Sequence, residues 1–126
     1  MIEDATISVV DDDGSVRKAL TRMFRSLGWR ASAFASGDEF LEAELSKPAC
    51  LILDVRMPGI SGLELQRELR VRSIDLPVVF MTAHAEIQTC VKAMKAGAVD
   101  FLIKPVAEST LVETVRQALE ERALDP

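Results

Sequence analysis

Four places in the sequence set a group with chemistry to offer directly after a short apolar run. Thr6-Ile7-Ser8-Val9-Val10 leads into Asp11-Asp12-Asp13, and Cys50-Leu51-Ile52-Leu53 leads into Asp54. Leu76-Pro77-Val78-Val79-Phe80-Met81 leads into Thr82, and Ala98-Val99-Asp100-Phe101-Leu102-Ile103 into Lys104. Carboxylates about 4 Å apart repel by ~1 to 4 kcal/mol, depending on the local dielectric. Such a cluster calls for a cation, and an all-oxygen donor set suits Mg²⁺, with Mn²⁺ also possible. Lys104 would add a fixed positive charge and Thr82 a hydroxyl. Carboxylate, divalent metal, ammonium and hydroxyl together make a site for a phosphoryl group. An aspartate is itself a competent phosphoryl nucleophile.

Each residue alone has an ordinary explanation. Asp11–Asp13 could cap a helix, Asp54 could start a turn, Thr82 could enter a helix, and Lys104 could be a solvated loop lysine. Capping accounts for one Asp comfortably and for three poorly. What decides the matter is whether the chain brings these four ends to one place.

The elements between them say that it does. Cys50–Leu53 lacks alternation, as in a strand buried on both faces, Thr6–Val10 is short and rich in β-branched residues, and Trp29 to Phe34 reads as a further strand. Helical spacing joins Val16, Leu20, Met23, Phe24 and Leu27, with Gly28 as the stop. Ser36-Gly37-Asp38 opens a helix with Phe40, Leu41 and Leu45 that Pro48 ends, and Ser61-Gly62 opens one with Leu65 and Leu69. Ile87, Val91 and Met94 follow, stopping at Gly97, and Leu111, Val115 and Leu119 form a last stripe. Strands alternating with helices predict an α/β fold, a doubly wound five-stranded parallel sheet with helices on both faces. The carboxyl ends of its strands share one edge, where ligand sites form.

A chain of 126 residues is one domain's length, with a core expected over about residues 5–121 and a boundary suggested by Asp125-Pro126. The net charge of −5 opposes a phosphate backbone, so no DNA binding is expected of this chain alone. No apolar run approaches the roughly 20 residues of a membrane span. Acidic Met1-Ile2-Glu3-Asp4 is unlike a signal peptide. Cys50 and Cys90 form no CxxC pair and read as two small buried residues in a reducing cytoplasm.

With these motifs in order, the chain resembles a receiver domain of the two-component response regulators. The acidic pair matches Asp11 and Asp12, the phosphorylated aspartate Asp54, and the loop Met57-Pro58-Gly59-Ile60-Ser61-Gly62. The switch hydroxyl matches Thr82, followed by Ala83, and the Lys-Pro pair matches Lys104-Pro105, where the family typically has a cis peptide. That loop and Lys95-Ala96-Gly97-Ala98-Val99-Asp100-Phe101 look most like FixJ-type transcription regulators, which usually carry a C-terminal helix-turn-helix domain.

The resemblance implies a flavodoxin-like sheet of order 2-1-3-4-5 and a phosphohistidine kinase as partner. It implies Mg²⁺ held by Asp12, Asp54 and the Arg56 backbone carbonyl, with Asp11 acting through water. Lys104, Thr82 and the Ala83 backbone N–H would bind phosphoryl oxygens, and Phe101 would rotate as Thr82 moves inward. The readout face would include Val91, Met94, Phe101 and Val112, used for a phosphorylation-dependent homodimer or for docking an output domain. Arg56 and His84, at the family's variable positions, are expected to set the dephosphorylation rate without altering Mg²⁺ binding. Two other readings stay open. A metal-dependent phosphatase-like hydrolase shares the Asp nucleophile, though Arg56 stands where such enzymes usually carry a second Asp. A phosphorylation-independent interaction module is the other.

Overall fold

The computed structural model describes residues 6–43, 48–83 and 86–124. Its elements alternate in chain order: β1 (Thr6–Val10), α1 (Gly14–Ser26), β2 (Arg30–Phe34), α2 (Gly37–Glu42), β3 (Pro48–Leu53) and α3 (Gly62–Val71). Then come β4 (Val78–Thr82), α4 (Ile87–Lys95), β5 (Asp100–Ile103) and α5 (Glu108–Leu124). All strand pairs are parallel, as the alternation of strands and helices led us to expect, and the sheet order is β2-β1-β3-β4-β5, as the resemblance implied.

The unalternating strands are explained by two cores, one on each face of the sheet. Ile7, Val9, Cys50, Ile52, Val79 and Met81 point to one face, where they meet Leu20 and Phe24 of α1 and Leu111, Val115 and Leu119 of α5. Val10, Leu51, Leu53, Val78 and Phe80 point to the other, against Phe40, Leu65, Leu69 and Ala93 of α2, α3 and α4. The inner strands are therefore buried along both faces and mostly apolar at successive positions, not at every second one, with Ser8 and Thr82 as buried polar exceptions. Burying a side chain of Leu, Val or Phe size is worth about 1.5–3 kcal/mol, so these faces dominate the fold's stability.

The punctuation is local. Gly28 and Gly97, just past α1 and α4, have φ of +88° and +99°, a region that glycine enters without strain. Asp13 caps α1, Ser36 caps α2, and Ser61 with Glu64 forms a reciprocal capping box on α3.

Several boundaries differ from expectation. Pro48 begins β3 rather than closing a helix, a position where its missing N–H costs little. Trp29, Leu76, Pro77, Ala98 and Val99 lie outside the strands, and Leu45 lies outside the described residues. The α4 stripe faces solvent: Ile87 is 85% exposed, Val91 44% and Met94 41%, whereas Ala93 is buried. Leu27 is likewise exposed, and Cys90 is only partly buried, unlike Cys50.

Candidate functional site

Asp11, Asp54 and Lys104 each stand one residue beyond a strand, yet the ladder still holds their backbones. Asp11 N donates to the Phe34 carbonyl at 3.2 Å, Asp54 N to the Val10 carbonyl at 3.0 Å, and Lys104 N to the Thr82 carbonyl at 2.8 Å. These bonds fix where each side chain starts, which a loop residue would not ensure. The three aspartates after β1 then divide their roles. Asp11 is 3% exposed and turns into the site, Asp12 is exposed, and Asp13 caps α1 by accepting from Ser15 N at 2.9 Å and the Ser15 hydroxyl at 2.7 Å. Those bonds to Ser15 hold the Asp13 carboxyl below the usual carboxylate range.

Carboxylate oxygens of Asp11, Asp12 and Asp54 lie within 4.8 Å of one another. Lys104 Nζ donates to Asp11 Oδ2 at 2.7 Å and lies 3.5 Å from Asp54 Oδ2. Asp54 Oδ1 accepts from Val55 N at 2.7 Å. Strand ends 93 residues apart in sequence thus meet at one carboxylate–ammonium contact.

The pattern of the response regulator receiver domain family matches residues 7–116. The chain belongs to that family. Among relatives of the receiver domain, Nodulation protein W of Bradyrhizobium diazoefficiens is 46% identical over 117 residues, which cover 92% of this chain and 52% of that protein. Transcriptional regulatory protein FixJ of Azorhizobium caulinodans is 41% identical over 120 residues, covering 94% of this chain and 57% of that one. Among solved structures, the response regulator StyR superposes with a TM-score of 0.88 at 45% identity, covering 95% of this chain and 61% of StyR. The FixJ-N crystal structure gives 0.83 at 37% identity, covering 93% and 94%. The receiver domain spans about half the length of relatives such as Nodulation protein W and the response regulator TmoT of Ectopseudomonas mendocina. These matches favour the receiver reading over the phosphatase-like one.

The receiver domain's charges are balanced unevenly. Burial pushes the Asp54 carboxyl up, and the charge of Asp11 pushes it further; Lys104 and the Val55 N–H pull it back without cancelling the rise. Burial disfavours the Lys104 charge, but its hydrogen bond to Asp11 and the charges of Asp11 and Asp54 outweigh that and hold its pKa above the usual lysine value. Folded Asp54 therefore keeps its proton to higher pH than the unfolded chain, and its ionisation costs stability as pH rises through that raised range. Asp54→Asn removes the charge and retains an acceptor for Val55 N–H. Without divalent cation it should melt at higher temperature than the parent at neutral pH, with the gap narrowing as pH falls. Calorimetry across pH reads this, and a variant less stable at neutral pH would contradict it.

The loop after Asp54 is packed against Asp54 itself. A Cβ on Gly62 would stand 2.3 Å from the Asp54 carbonyl oxygen and 3.0 Å from Val55 Cα. Gly62 N also donates to the Val55 carbonyl at 2.8 Å. Gly62 was visible in the sequence only as a helix opener; its task of letting α3 abut the end of β3 was not. Gln66 was missed altogether. It is 4% exposed and spends its amide on the Ala93 carbonyl at 3.0 Å, tying α3 to α4.

The remaining expected residues spread around this edge. Thr82 is fully buried and Ala83 exposed, and Lys104-Pro105 is a cis peptide. Phe101 is partly buried on one sheet face with its ring centroid 5.8 Å from that of Phe80, while Val112 packs partly buried on the other. Val91 and Met94 are exposed on α4. Arg56 is exposed and ion-paired with Glu86. His84 lies outside the described residues.

Proposed function

We propose that this receiver domain is a phosphoacceptor, with Asp54 taking a phosphoryl group from the phosphohistidine of a partner kinase. The observation that carries the reading is Lys104 Nζ beside both Asp11 and Asp54 within a three-carboxylate cluster. An Asp54 oxygen attacks phosphorus in line, the P–N bond breaks, and the departing imidazole keeps the electron pair. The cluster's donors are all oxygen and anionic, which fits Mg²⁺; Asp12, Asp54, the Arg56 carbonyl and, through water, Asp11 would hold it. When bound, that ion offsets the negative charge an anionic donor meets. Thr82, the Ala83 N–H and Lys104 then take the phosphoryl oxygens. On this reading the chain catalyses only its own phosphorylation and dephosphorylation, and acts in the cytoplasm. The test is incubation with acetyl phosphate: intact mass should rise by one phosphoryl group with Mg²⁺ and not after chelation.

Phosphorylation would be read at the edge where α4, β5 and α5 meet. Val91 and Met94 already face outward there, and Phe101 and Val112 are partly exposed on either side of β5. Inward movement of Thr82 and rotation of Phe101 form a two-state element biased by the new charge. The result is a homodimer or docking of an output domain. Lys104 serves this coupling more than the attack. Lys104→Ala should therefore still be labelled but fail to gain self-association in sedimentation, whereas association equal to that of labelled parent would remove the role given to Lys104.

A further inference from the structure

Arg56 leaves Asp54 by two residues, and Glu86 is the N-cap residue of α4, four residues past Thr82. Their side chains form an ion pair across 30 residues of sequence. It ties the loop carrying the carboxylate to the segment following the hydroxyl. Glu86 makes no side-chain cap bond to α4; its carboxylate goes to the guanidinium instead. The two side chains are 57% and 58% exposed, and exposed pairs of this kind are worth only about 0.2–1 kcal/mol. A weak pair is one that a stronger anion can break. A phosphoryl group on Asp54 is such an anion, because guanidinium binds phosphate oxygens through its fork of N–H donors.

We propose that Glu86 is a positioning residue that sets how long a phosphoryl group survives on Asp54, by competing with that group for Arg56. The inference rests on the phosphoacceptor reading. Hydrolysis joins water oxygen to phosphorus and breaks the bond from phosphorus to the Asp54 oxygen, leaving the carboxylate and dihydrogen phosphate. Held by Glu86, Arg56 leaves phosphorus open to that water. Released, it pairs with the phosphoryl oxygens and covers them. Glu86 then has another partner at hand in the positive N-terminal end of α4, whose first N–H groups lack intrahelical acceptors.

The test is a double-mutant cycle on decay of the purified, acetyl-phosphate-labelled protein, followed by intact mass. Glu86→Gln should slow decay roughly two- to fivefold, the range an exposed ion pair's strength allows. Arg56→Ala should hasten it, and Glu86→Gln should have no effect in the Arg56→Ala background. High salt should shrink the Glu86→Gln effect, which a merely structural contribution to α4 would not show. Faster or unchanged decay in Glu86→Gln, or an equal effect with and without Arg56, overturns the proposal. Failure of every form to be labelled would overturn the phosphoacceptor reading and this one with it.

Discussion

Asp54→Asn should fold, keep its place in the sheet and take up no phosphoryl group from acetyl phosphate in Mg²⁺. The backbone of residue 54 is held by its N–H to the Val10 carbonyl and by the close seat of Gly62, neither of which depends on the carboxylate. The amide keeps an acceptor for Val55 N–H, so little is lost locally. What goes is the nucleophile, since an amide oxygen has neither the charge nor the basicity to attack phosphorus. Asp11 is held by Asp13 N at 2.9 Å and by Lys104 Nζ at 2.7 Å, and on this reading it serves the cation and the lysine rather than attacking phosphorus. Asp12→Ala should come close to the same loss by removing the exposed member of the cluster. Full, acid-labile labelling of Asp54→Asn would sink the assignment.

Gly62→Ala should be the most damaging single methyl in the loop region. Alanine in a helix's first turn is ordinarily favourable, by up to about 1 kcal/mol over glycine. Here the added carbon would meet the Asp54 carbonyl oxygen at 2.3 Å, and that oxygen belongs to the backbone leaving a central strand. Overpacking against atoms that cannot swing aside costs typically 1–3 kcal/mol. We expect a net loss of about 2 kcal/mol in urea unfolding, with slowed labelling because relief of the clash displaces Asp54. Unchanged stability would mean that α3 can slide away from β3 freely.

The sequence by itself determined the class of fold and the address of the site. Apolar residues at successive positions of Val9-Val10, Leu51-Ile52-Leu53 and Val78-Val79-Phe80 suit strands with a core on both faces, and their alternation with helical stretches is what points to a parallel α/β sheet. Parallel strands end on one edge, which is where Asp11, Asp54, Thr82 and Lys104 stand. These are local signals, each readable within a few residues. Only the tertiary structure decided which Asp faces Lys104 and which caps α1, because depth at a strand end depends on how the next helix turns away. Only it could show Arg56 on Glu86, Gln66 on the Ala93 carbonyl, or Gly62 against Asp54, contacts that no periodicity encodes. The α4 stripe makes the same point from the other side. Ile87, Val91 and Met94 have the spacing of a core face, but spacing states only that a face exists. Which way it looks is set by what α3 and β5 leave room for, and here Ala93 is the residue that fits inside.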